Sequence, residues 1–312
     1  MPPSLSKDEK SSEETSDDSS DKQFLIKKAE RGSVLKAGLS CKASPFVADS
    51  WVSLCLTLDG RDKVTKVLQY TSRLLAFLST AGSHEQKRWH QLFSKLSGSR
   101  KAFRVGRSFI ELHKLRKMGI WVMCLQTLGL SKSSSKKSSM SLIKLGQALK
   151  MVGLLGFWAG DNASFFNSAG FLDDYTLDEG KRREQRIRRQ RNITTFTNRS
   201  YFFGSIAGLV ANFKSYVDHQ YRELKDAQQQ YENTKTEEDQ LVAQKNLEIV
   251  QKNHFGLLVA LIKSCCDVMV FGNNAGVDLF KMFYGRKLHE GVHCVGGLIS
   301  AATVLYSNYP NA

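Results

Sequence analysis

The chain has 312 residues, four prolines, a formal net charge of +15 and a mean hydropathy of −0.32. That length admits one large or two small domains. The scarcity of proline favours a mostly helical chain, and the polar average excludes a conventional polytopic transporter. The excess of cations points to a polyanionic partner, nucleic acid or an anionic membrane. The charge is uneven: residues 1–22 hold three lysines against seven acids, a local −4, so the remainder carries +19.

Six cysteines form no CxxC pair and join no histidine at zinc spacing, so neither a metal nor a cofactor is expected. The polar, acidic start is unlike a secretory signal peptide, and reduced cysteines fit a cytosolic or organelle-membrane setting. Residues 1–22 read as a disordered acidic, serine-rich tail and 23–50 as a poorly defined lead-in to a helical domain over 51–312.

From Trp51 the helical signal begins. A short apolar lead-in precedes a turn at Asp59-Gly60, where Asp59 is a plausible N-cap. The following helix takes Val64, Val67, Leu68, Leu74, Leu75 and Leu78 as its apolar side. A break near Gly82-Ser83 comes next. The spacing then predicts one helix over 91–118, with Leu92, Leu96, Phe103 and Ile110 in an apolar row that Phe109 widens. Arg100, Lys101, Arg104 and Arg107 occupy the other side. Besides a groove-binding target helix, two readings fit such a helix. It is either an ordinary surface helix with its cations in water, or an interfacial helix with its apolar row in the acyl boundary and its cations on anionic headgroups.

A dozen apolar residues after Met118 are too few to span a bilayer, and residues 131–139 form a Ser/Lys linker. Residues 142–172 are the most membrane-like segment. Asp161 and Asn162 interrupt it, and a carboxylate there needs an interface, a helix neighbour or a partner. Residues 180–191 are the densest basic run, which fits RNA, a membrane surface or a solvated face. Gly204 and Gly208 then give a GxxxG spacing. Residues 214–253 read as a polar helical excursion with a break near 233–236. Two apolar segments close the chain, residues 255–280 and 292–306, the latter borderline for a span.

Several patches, in this order, resemble the peroxisomal biogenesis factor 11 family. They are Leu58-Asp59-Gly60-Arg61-Asp62-Lys63-Val64 with Leu68-Gln69-Tyr70 and Arg73-Leu74-Leu75; Leu96-Ser97 with Ser99 through Arg107; Asp161-Asn162 with Phe165-Phe166, Ala169-Gly170 and Leu172; and Cys266-Asp267 with Val295 through Ser300. The resemblance implies an all-α, membrane-associated helical bundle in the peroxisomal membrane. It implies elongation of that membrane by the amphipathic helix, with self-association and recruitment of the fission machinery, a dynamin-related GTPase and its membrane adaptor. The expected membrane-inserting face is Leu92, Leu96, Phe103, Phe109 and Ile110. The expected contacts to anionic lipid are Arg100, Lys101, Arg104 and Arg107, and the mid-chain motif residues are Asp161, Asn162 and Gly170.

Two rivals remain at this level. A nucleic-acid-binding protein using residues 181–191 leaves the apolar segments unexplained. A metabolite channel, which the family resemblance also permits, needs a polar lining, for which Asp161, Asn162 and Asp267 are the visible candidates. An enzyme is not expected. His289-Glu290-Gly291-Val292-His293 matches the zinc-protease pattern formally, but Gly291 weakens the helix and no third ligand follows in a sensible context. The Tyr-Pro-Asn-Ala end is not a matrix address of the Ser-Lys-Leu type.

Overall fold

The computed structural model describes residues 46–117, 119 and 142–310. The acidic tail, most of the lead-in, the apolar dozen after Met118 and the Ser/Lys linker lie outside the described residues. Among those described, the chain is helices and turns with no strand.

Ten α-helices succeed one another among the described residues: α1 (Ala48–Leu56), α2 (Leu58–Leu78), α3 (His84–Ala102), α4 (Arg107–Lys117), α5 (Leu142–Ser168), α6 (Glu179–Asp218), α7 (Lys225–Asn233), α8 (Glu237–Gly272), α9 (Leu279–Tyr284) and α10 (Glu290–Asn308). A π-helical turn, His219–Leu224, joins α6 to α7 without a break in direction. The polar excursion is therefore not a separate module. It is the continuation of α6 through the π turn and α7, a reversal at 234–236, and the first half of α8.

Local chemistry sets the starts. Thr57, not Asp59, caps α2: its hydroxyl accepts from the Gly60 amide at 2.9 Å. Ser83 caps α3 in the same way, accepting from Gln86 N at 3.1 Å. The single helix expected over 91–118 is two. It stops at Ala102, and Gly106, at φ +79°, turns the chain into α4. A residue with a Cβ is disfavoured in that left-handed conformation.

The helices close into a ring. α2 packs on α3 and α10, α10 on α8, α8 on α6, and α6 on α5. The α3–α4 pair returns from α5 to α2. The tightest seam is α5 against α6, and small residues make it. A Cβ on Gly153 would stand 2.5 Å from the Gly204 Cα, and one on Gly160 would stand 3.2 Å from the Thr197 Cβ. Gly146 faces Ala211 likewise. Gly204 thus has its partner on α5, a close approach of the kind small residues permit between apolar helices. α5 and α8 are each long and apolar enough to cross a membrane.

Candidate functional site

Polar and charged side chains share the buried interior with apolar ones. Asn167 is 0 % exposed, Asp62 and Ser300 are 1 %, and Asp161, Ser164, Thr197 and Asp267 are buried. Large apolar side chains face outward instead. On α6, Phe196, Phe203, Ile206, Val210 and Phe213 form one exposed stripe, and on α10 Val292, Val295, Ile299 and Tyr306 form another. A scattered exposed leucine needs no explanation, but buried carboxylates inside an exposed apolar shell do.

α2 builds one wall of this interior. Asp62, Lys66, Gln69 and Arg73 recur at helical spacing and fall in one sector of about 60°. That sector turns inward. The residues of its apolar side, Val64, Val67, Leu68, Leu74, Leu75 and Leu78, are half-buried or exposed.

Asp62 is the hub of the charge cluster. Its Oδ1 accepts from Arg100 Nε at 3.0 Å and from Arg104 Nε at 2.8 Å, and its Oδ2 accepts from Lys63 Nζ at 3.1 Å. Arg100 also donates Nη1 to Gln69 Oε1 at 2.5 Å, and Arg104 donates Nη1 to Asp161 Oδ2 at 3.1 Å. The Arg104 and Arg107 guanidiniums lie over the Trp158 ring, 5.0 and 4.8 Å from its centroid.

A second polar group lies deeper along the ring. Ser300 Oγ donates to Asp267 Oδ1 at 2.5 Å, and Tyr201 OH donates to Asp267 Oδ2 at 3.1 Å. Lys263 also pairs with Asp267, and Lys66 Nζ donates to Ser300 Oγ at 2.9 Å. Burial pushes Lys66 down to about 8, with the positive charges of Lys263, Lys63 and Arg104 acting the same way against Asp267.

These contacts correct the expectation for two of the four lipid-binding cations. Arg100 and Arg104 are buried and ion-paired inside the ring, so they are not surface charges. One reason is the break at residues 103–106, which turns α4 off the helical wheel that α3 begins. The other is Asp62, which no periodicity within 91–118 reveals. Lys101 is half-buried and donates to Ser164 Oγ at 2.7 Å, while Arg107 pairs with Asp59.

Of the apolar row, Phe109 is 74 % exposed, with Ile110 and Leu92 also exposed. Leu96 and Phe103 are half-buried. In the mid-chain motif, Asp161 is the partner of Arg104, and Asn162 Nδ2 reaches Ser108 Oγ on α4 at 3.5 Å. Gly170, at φ +78°, ends α5 in the left-handed conformation. Just beyond it, Asp173 clasps Arg186 and Arg189 of α6, the latter at 2.7 Å. Its hydrogen bond to Arg186 holds the Asp173 carboxyl below the usual range.

In the formal zinc-protease motif, Glu290 accepts from Arg73 Nε at 2.6 Å and His289 packs edge-on against Phe77. Asp62, Lys66, Gln69, Lys263, Tyr201 and Ser300 lie outside the site residues read from sequence. The spacing of polar residues on α2 is the signal that points to the first three.

No curated protein and no solved structure matches the chain. The family model for peroxisomal biogenesis factor 11 matches residues 48–309. The match takes in every described helix, including the charged interior and the apolar shell. The chain therefore belongs to the peroxisomal biogenesis factor 11 family, a family of peroxisome biogenesis rather than of known enzymes.

Proposed function

We propose that the chain is a peroxisomal membrane protein that elongates the membrane it sits in and so promotes peroxisome proliferation and fission. The observation that supports this is a buried set of carboxylates, arginines and hydroxyls inside the ring together with exposed stripes of aromatic and branched side chains on α6 and α10. A hydrocarbon surrounding makes such a shell stable, and water does not. α4 supplies the wedge. Phe109, Ile110 and Leu112 are exposed beside the basic last turn, Lys114, Arg116 and Lys117. An apolar face with flanking cations enters one leaflet and spreads its headgroups.

The electrostatic attachment in this reading differs from the one read from sequence. With Arg100 and Arg104 in the interior, the anionic surface is met by Lys114, Arg116 and Lys117 and by the exposed members of the basic run on α6, Lys181, Arg183, Arg188 and Arg191. Each is worth roughly 1 kcal/mol beside an anionic leaflet. Self-association concentrates the wedges, and the fission machinery, a dynamin-related GTPase with its membrane adaptor, acts on the elongated membrane. No nucleic acid enters this reading.

The test is reconstitution of the full chain into vesicles containing anionic lipid, with shape read by electron microscopy. Tubules are expected from the parent protein. Round vesicles from the parent, or undiminished tubules from Phe109→Glu/Ile110→Glu, overturn the wedge.

A further inference from the structure

We propose that the interior of the helical ring is a binding site for a small anion carrying a phosphate or carboxylate group. Two adjoining cavities of about 240 and 180 Å³ lie there, and both are lined by Tyr70, Arg100, Arg104, Phe157 and Phe271. They succeed one another along α6. The outer touches Thr194, Thr197 and Asn198, and the inner touches Tyr201. The basic run ends at Arg191, immediately before the outer cavity. A row of cations thus leads toward a chamber that is itself cationic, an arrangement that raises the local concentration of anions.

The charge in the inner chamber does not balance among the described residues. Five cations line it: Lys63, Lys66, Arg100, Arg104 and Lys263. Three carboxylates pair with them directly, Asp62, Asp161 and Asp267, and Asp59 acts on Lys63 from beside Arg107. Burying unmatched positive charge is costly, and a bound anion removes the imbalance. Lys66 is the residue least satisfied by a carboxylate, since its hydrogen bond goes to the Ser300 hydroxyl. Trp158, Phe157 and Phe271 form the apolar part of the wall of a chamber that is partly open. The size suits one small anion, well below the usual range of pockets for drug-sized ligands.

The experiment uses the full chain purified in an uncharged detergent and titrates inorganic phosphate, succinate or dihexanoyl phosphatidic acid. Thermal unfolding and calorimetry are read against sodium chloride at equal ionic strength. Phosphate or succinate is expected to raise the unfolding temperature beyond the chloride control and to bind saturably. Lys66→Met, which keeps the side-chain bulk and removes a desolvated charge, is expected to fold and to bind at least tenfold more weakly. Lys263→Met is expected to weaken binding similarly and provides the comparison if the first variant does not fold. Protection by phosphatidic acid alone assigns the chamber to a lipid headgroup, and protection by the free anions assigns it to a soluble solute. Stabilisation no greater than that by chloride, or unchanged binding in both lysine variants, overturns the site.

Discussion

Asp62→Asn isolates the charged interior from everything else in the fold. The substitution keeps the shape and removes one negative charge at a side chain that is 1 % exposed and accepts from Arg100, Arg104 and Lys63. Arg100 then loses its carboxylate partner and keeps Gln69, while Arg104 keeps Asp161. Breaking a buried pair by removing one partner costs about 3–5 kcal/mol, because the remaining charge stays desolvated. The same change at Asp161 removes a single contact, and Arg104 retains Asp62, so its loss should fall near the lower end of that range. The order Asp62→Asn worse than Asp161→Asn is therefore as diagnostic as the magnitude. The assay is equilibrium unfolding of the full chain in detergent, followed by tryptophan fluorescence, because Trp158 lies beneath Arg104. Replacing Arg100 with Gln on the Asp62→Asn background should restore part of the loss by removing the stranded cation. An Asp62→Asn protein within about 0.5 kcal/mol of the parent, the usual effect of a surface change, would refute the idea that Asp62 holds a buried charge cluster together.

Three further outcomes concern other parts of the ring. Phe109→Glu/Ile110→Glu lies on exposed positions; it should change unfolding free energy by no more than about 0.5 kcal/mol while abolishing vesicle tubulation. Gly153→Val sets a side chain against the Gly204 backbone at 2.5 Å, where nothing can rotate away. It should cost about 3 kcal/mol or more, whereas Gly98→Ala, with nothing within 4 Å, should gain roughly 0.5–1 kcal/mol; unfolding curves of the two decide. The Asp173 clasp has a folded pKa below its unfolded value, held there first by the Arg186 hydrogen bond. Its stabilisation is thus present above the ordinary carboxylate range, near ~3.9, and disappears as pH falls through the lower folded value. Asp173→Asn should remove that part of the acid-side stability loss, as measured by unfolding between neutral pH and about pH 3.

The fold class was legible in the sequence because helical periodicity is local: the breaks at Gly82-Ser83 and near 233–236 stand where turn chemistry announces them. The interior was not. Arg100 and Arg104 look like surface cations on a helical wheel, since a wheel assumes that charge faces water and that the helix continues. Both assumptions fail here, one at Gly106 and the other at Asp62, which sits 38 residues before Arg100. On α2 the apolar side read from the sequence includes Leu68 and Leu78, which are exposed, while Asp62 and Gln69 are buried. In an apolar surrounding the polar row is the buried one, and only the tertiary arrangement shows which applies. Asp161 was legible as a residue requiring a partner, but the partner's identity was not. Gly204 was legible as a close-packing residue, and its counterpart Gly153 on another helix was not.

The length of α6 has a consequence for who can reach which part of the molecule. Forty residues extend about 60 Å, roughly twice the ~30 Å hydrocarbon layer, and the π turn and α7 prolong it. Along it, residues 181–191 and the hairpin that begins at residue 219 stand about 40 Å apart. A kinase, protease or adaptor docked at one end of that length therefore does not touch the other.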